Sequence, residues 1–138
     1  MRIFLDANIL VSVLNKEYPL FSYTARILSL ADSRKFTVYI SPVCLAIAFY
    51  FAKKKSGTQL AKKKIEIMSS KLSITGIGKD EVLKCLENKQ VNNFELGLEY
   101  YSALSSKCET IITEDLSDFY FSSIPVSSSR AFLENHLH

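Results

Sequence analysis

Along most of the chain, short β-branched runs alternate with longer stretches whose apolar positions recur at helical spacing. The opening RIFL is an apolar run of strand character that stops at Asp6, and Asn8 is a good cap for a helix starting just after it. From Pro19 to Lys35 the apolar positions Leu20, Tyr23, Ile27, Leu28 and Leu30 recur at helical intervals, and FTVYIS at 36–41 has strand composition. Ser41 and Pro42 punctuate the next element, because proline is tolerated in a first helical turn and not later. The alanine-rich run after Pro42 predicts a helix that is apolar on all sides as far as Lys53.

Gly57 breaks that helix, and TQLAKKKIEIMSSKL begins another. LSITGI reads as a third strand and KDEVLKCLEN as a short amphipathic helix. Asn92 or Asn93 caps a long helix, NFELGLEYYSALSSK, after which ETIIT is a fourth strand, SIPV a small fifth one and SSSRAFLENH a closing helix. Strands alternating with helices predict an α/β fold, a three-layer α/β/α sandwich around a mainly parallel sheet. There is no internal repeat or low-complexity linker, so residues 1–138 are read as one domain.

Composition agrees with one compact core and argues against disorder: 48% of the 138 residues are hydrophobic and 22% charged. The net charge of +3 permits a polyanionic partner without demanding one. Cys44, Cys85 and Cys108 are odd in number, far apart and without metal-ligand spacing, which predicts buried free thiols in a reducing compartment and hence a cytoplasmic protein. The longest apolar run, at 43–52, is too short to cross a bilayer, and no signal-peptide pattern precedes it, so no membrane association is expected. His136 and His138 lie at the C-terminal extreme and are read as a tail, not as ligands.

The chemistry concentrates at the ends of two strands. Asp6 follows the first strand, and IITEDLSDFY at 111–120 runs from the fourth strand into Glu114, Asp115 and Asp118. In parallel α/β sheets, sites form at the carboxyl ends of the strands. If the first and fourth strands are neighbours, Asp6, Asp115 and Asp118 converge and can hold a hard divalent cation. The competing reading makes Asp6 a helix cap and the others turn residues.

These segments, taken in order, resemble the PIN domain, the metal-dependent ribonuclease fold of VapC-type toxins. The resemblance is carried by IFLDANIL at 3–10, YIS at 39–41, NNFELGLEYYSAL at 92–104, CETIITEDLSDF at 108–119 and IPV with its closing helix. It implies Mg²⁺ or Mn²⁺ as cofactor and RNA phosphodiester hydrolysis, with Asp6, Asp115 and Asp118 as catalytic and metal-holding residues and Thr113 and Asn8 supporting them. It also implies RNA, an antitoxin protein and a second copy of the chain as partners.

Two positions depart from the family pattern. Where it has an acid early in the helix after the second strand, this chain has Ala46 or Ile47, and where it has an aspartate in NNFELGL the chain has Leu96. Asn92, Asn93 and Glu99 flank Leu96 on its helix face and are the candidate substitutes, whereas Glu95 is rotated away by about 100°. Weak metal binding is therefore expected, and with it the weak Mg²⁺- or Mn²⁺-dependent endoribonuclease activity of a VapC-type toxin; the alternative is a catalytically impaired scaffold that binds RNA or a protein partner. Lys53, Lys54, Lys55, Lys62, Lys63 and Lys64 supply six of the seventeen basic residues and are the candidate RNA-backbone contacts, against a reading as solvated helix ends.

Overall fold

A computed structural model describes residues 1–136; the reading of His138 lies outside the described residues. The elements follow the order β1 Arg2–Leu5, α1 Ala7–Leu14, α2 Phe21–Ser29, β2 Thr37–Ile40, α3 Pro42–Ser56, α4 Thr58–Ser69, β3 Ser73–Ile74, α5 Lys79–Glu87, α6 Phe94–Ser105, β4 Thr110–Ile112, β5 Val126–Ser127 and α7 Ser129–His136. The sheet order is β3-β2-β1-β4-β5, with every pairing parallel and helices on its faces, as the alternation of elements predicts. Among the described residues no helix is long and apolar enough to cross a membrane.

β1 is the central strand, and Ile3, Phe4 and Leu5 are fully buried because helices cover both faces. Its register places Leu5 beside Ile112 of β4, and the Asp6 N–H donates to the Ile112 carbonyl at 3.0 Å. That pairing sets Asp6 next to Thr113, where both strands end. The helix cap differs from expectation. Asp6, not Asn8, is the N-cap of α1, and its carboxylate accepts from the Ala7 N–H, which releases the Asn8 side chain to face β4.

α3 is not buried all round. Cys44, Ala48 and Ala52 form its buried stripe, four residues apart, and these small side chains let α1 and α4 pack closely on it. Tyr50 and Phe51 face outward and are 57% and 42% exposed. Gly57, at φ 85°, turns the chain from α3 into α4, a conformation that disfavours any Cβ. Two of the predicted phosphate contacts already have protein partners: the Lys55 and Lys64 ammonium groups donate to the Asn15 and Leu14 carbonyls at the C-terminal end of α1, where cations favour the helix dipole. Lys53, Lys54, Lys62 and Lys63 are exposed.

α6 approaches α5 through Gly97. A Cβ there would stand 2.3 Å from Cys85 Sγ and 2.7 Å from a Val91 methyl. Gly97→Ala is therefore expected to destabilise the fold by about 1–3 kcal/mol through overpacking, despite the roughly 1 kcal/mol that alanine gains in helix propensity. Urea unfolding checks it, and an unchanged or raised midpoint would contradict the close packing of α5 on α6.

The helix predicted over 19–35 is shorter, ending at Ser29 with one 3-10 turn at Leu30–Asp32. The third strand keeps only Ser73–Ile74 of LSITGI, as suits a sheet edge with one partner. His136 stays helical, its ring stacked on Phe132 at 4.1 Å.

Candidate functional site

Six carboxylates line one cleft of about 320 Å³ at the carboxyl end of the sheet: Asp6, Glu17, Glu95, Glu99, Asp115 and Asp118. β1 delivers Asp6, the turn after β4 delivers Asp115 and Asp118, and α6 delivers Glu99 from across the cleft. The two strand ends meet because β1 and β4 are hydrogen-bonded neighbours.

A polar network fixes the strand-end acids. The Thr113 hydroxyl donates to Asp6 Oδ2 at 2.8 Å and accepts from the Asp115 N–H and the Asn8 amide, each at 3.1 Å. The Asn8 amide reaches Asp115 Oδ2 at 3.4 Å, and its carbonyl oxygen accepts from the Glu114 N–H at 3.3 Å. Thr113 and Asn8 thus hold Asp6 and Asp115 in register. Glu114 turns away, and its carboxylate accepts from the Ser129 N–H at 3.1 Å at the start of α7. The strand-end acids therefore divide between a cleft and a helix cap.

Across the cleft, Ile47 of α3 and Leu96 of α6 present hydrocarbon, and Phe51 extends that wall outward. The Asn93 side chain accepts from the Leu96 N–H as the N-cap of α6, so it is engaged in the helix start. Asn92 is exposed and does not line the cleft, whereas Glu95 stands exposed on its rim. Glu99, one of the candidate substitutes flanking Leu96, is 1% exposed and lies beside Asp6.

Glu99 has an unexpected companion. The Cys44 thiol donates to Glu99 Oε1 at 2.9 Å, and the donor atoms of Asp6, Cys44 and Glu99 all lie within 4.8 Å of one another. Burial pushes the Glu99 carboxyl well above the usual range, with Asp6 adding repulsion. Burial also pushes the Cys44 thiol well up, with Glu99 adding to it. Asp118 is raised by desolvation and by Asp115 and Asp6. The acids here disfavour one another's ionisation, and the two salt bridges among the described residues lie elsewhere, at Lys71–Asp32 and Arg130–Glu134. A divalent cation would relieve that repulsion.

Cysteine spacing gave no hint of Cys44. The signal lay in its helix register, since Cys44 is one turn before Ile47 and Ala48 and so faces the same side of α3. All three cysteines are buried free thiols, as their number and spacing predict.

Comparison with known proteins agrees with this architecture. The PIN domain family matches residues 2–117. Among solved structures, VapBC2 from Rickettsia felis, bound to a DNA fragment from the promoter, superposes with a TM-score of 0.67 at 22% identity over 93% of this chain and 98% of that one. VapBC-1 from nontypeable Haemophilus influenzae gives 0.69 at 17% identity over 94% and 99%. VapC20 of Mycobacterium tuberculosis, a sarcin-ricin loop cleaving toxin, gives 0.62 at 13% identity over 79% and 86%. No curated protein matches the sequence.

Proposed function

This chain belongs to the PIN domain family, and from that premise we propose that it is a catalytically impaired, VapC-like scaffold that binds RNA at its strand-end cleft. The observation that carries this reading is the cleft wall, where Ile47 and Leu96 face Asp6, Asp115 and Asp118 with hydrocarbon. Leucine and isoleucine supply no ligand atoms, so the α6 wall is left with Glu99 and the exposed rim Glu95 as its acidic donors.

The residues present fit one Mg²⁺ or Mn²⁺ better than two. Asp6, Asp115 and Asp118 would hold it, and a hard cation of this kind keeps several waters and accepts substrate phosphate oxygens in its shell. When bound, it supplies charge neutralisation at phosphate and a more acidic water. Thr113 and Asn8 orient Asp6 and Asp115, and Ile47 and Leu96 line the opposite wall with hydrocarbon. Exposed Lys53, Lys54, Lys62 and Lys63 supply positive charge for the RNA backbone.

The test pairs RNA retention with RNA cleavage in Mn²⁺, using the wild type and Asp6→Asn. Retention that weakens steeply with salt, with cleavage no faster than in Asp6→Asn, is expected. Cleavage well above that variant would replace this reading with that of a weak metal-dependent endoribonuclease, possession of Glu99 beside Asp6 being the feature in its favour. A protein partner of the antitoxin kind is the second reading, favoured by exposed Phe51 on the cleft rim and Tyr50 beside it.

A further inference from the structure

The Asp6, Cys44 and Glu99 cluster differs from the strand-end acids in chemistry and depth. Its donors come from three separate elements, the end of β1, α3 and α6, and are 5%, 0% and 1% exposed. Asp6 and Glu99 face the cleft, and no lysine or arginine among the described residues forms a salt bridge with either. Glu99 is the sharper anomaly. A carboxylate this buried is ordinarily paired with a cation or a metal, yet its hydrogen-bond donor here is a thiol that is itself a metal-ligand type.

Sulfur decides which cation. Thiolate is a poor partner for Mg²⁺, which demands oxygen in a near-ideal octahedron, and a good one for zinc-like ions. A tetrahedral zinc, at about 2.3 Å to sulfur and about 2.0–2.2 Å to carboxylate oxygen, spaces its donors roughly 3.3–3.6 Å apart. The three donor atoms already lie within 4.8 Å of one another, with Cys44 Sγ and Glu99 Oε1 at 2.9 Å. Three protein donors leave a fourth position open toward the cleft, the arrangement of a reactive rather than a closed structural zinc site.

We propose that Asp6, Cys44 and Glu99 form a three-donor site for a thiophilic divalent cation of the zinc and cobalt class, set inward of the oxygen-only acids and sharing Asp6 with them. On ligation the Cys44 S–H bond breaks, sulfur binds the ion and the proton passes to solvent. Cys44, and not the strand-end acids alone, then sets the metal preference of the cleft. This assignment rests on the convergence of the donors and not on the reading of the cleft as an RNA site.

Cobalt(II) titration of the metal-free protein tests it, because a cobalt–thiolate bond absorbs in the near ultraviolet and an oxygen-only site does not. The expected result is a saturable charge-transfer band at one cobalt per chain that is lost in Cys44→Ser, weakened at least tenfold in affinity in Glu99→Gln and retained in Asp118→Asn. Zinc should displace the cobalt and erase the band, whereas excess Mg²⁺ should not. Cobalt binding without the band, or a band unaffected by Glu99→Gln, would overturn the proposal. Loss of binding in Asp118→Asn alone would overturn it too, by assigning the ion to the outer acids. Failure of RNA retention would leave these optical results untouched, so the two readings fail separately.

Discussion

Restoring carboxylates at the two hydrocarbon positions, in Ile47→Glu with Leu96→Asp, is expected to raise Mn²⁺-dependent RNA cleavage by about 10²-fold or more, the scale on which a single preorganised charge-stabilising group acts. Ile47 and Leu96 are both half-buried and line the cleft with Asp6, Asp115 and Asp118. A carboxylate at either position would reach cleft water instead of being sealed in the core, which keeps its desolvation cost low. It would also add oxygen donors on the wall that now lacks them, enough anionic charge for a tighter ion or a second one. Leu96→Asp alone should give most of the gain in Mn²⁺ affinity, because α6 presents that position directly across the cleft. A single-turnover assay on a short single-stranded RNA reads the effect, and adding Asp6→Asn to the double variant should return cleavage to baseline. No gain in either affinity or cleavage would show that hydrocarbon on this wall is not what limits the site.

Much of that wall was legible before the fold was known. A strand-end aspartate and a late pair of acids converge only if the first and fourth strands are neighbours, and the sheet supplies that condition: one residue beyond the Leu5–Ile112 pair stand Asp6 and Thr113. Less legible were features that depend on helix rotation. The Asp6 cap and the inward turn of Asn8 follow from where α1 begins, and a one-residue shift in that start decides which side chain reaches Thr113. The apolar run of α3 hides its division into a stripe of small buried residues and an exposed Tyr50 and Phe51, because hydrophobicity alone does not say which side a neighbouring helix will cover. The closeness of Cys44 to the cleft acids is masked in the same apolar run and shows only in its helix register. Its partner Glu99 lies 55 residues away and on another element, a pairing that spacing rules for metal motifs do not address.

Glu99→Gln is expected to make the protein progressively more stable than the wild type as pH rises. Burial first, and the Asp6 charge second, hold the Glu99 carboxyl well above its ordinary value in the folded chain. Above about pH 4.3, where an unfolded glutamate loses its proton, the folded state still binds one that the unfolded state has released. Unfolding then releases a proton, so stability falls as pH rises until the folded carboxyl also ionises. The slope reaches about 1.4 kcal/mol per pH unit in that window. Glutamine has nearly the same shape, can accept from the Cys44 thiol through its carbonyl oxygen and carries no titrating proton, so it loses this slope. Groups common to both proteins, Asp118 and Cys44 among them, largely cancel in the difference. Urea unfolding at a series of pH values should therefore give two curves that meet near the unfolded glutamate value and separate steadily above it, and parallel curves would contradict the buried, proton-bearing state of Glu99. A glutamine here would serve the fold better at neutral pH, so a carboxylate at 1% exposure beside Asp6 points to a role in the cleft that packing does not explain. Zinc or cobalt should reverse the order of the two proteins, stabilising the wild type while leaving Glu99→Gln nearly unchanged, since only a ligand that binds the folded state raises its stability.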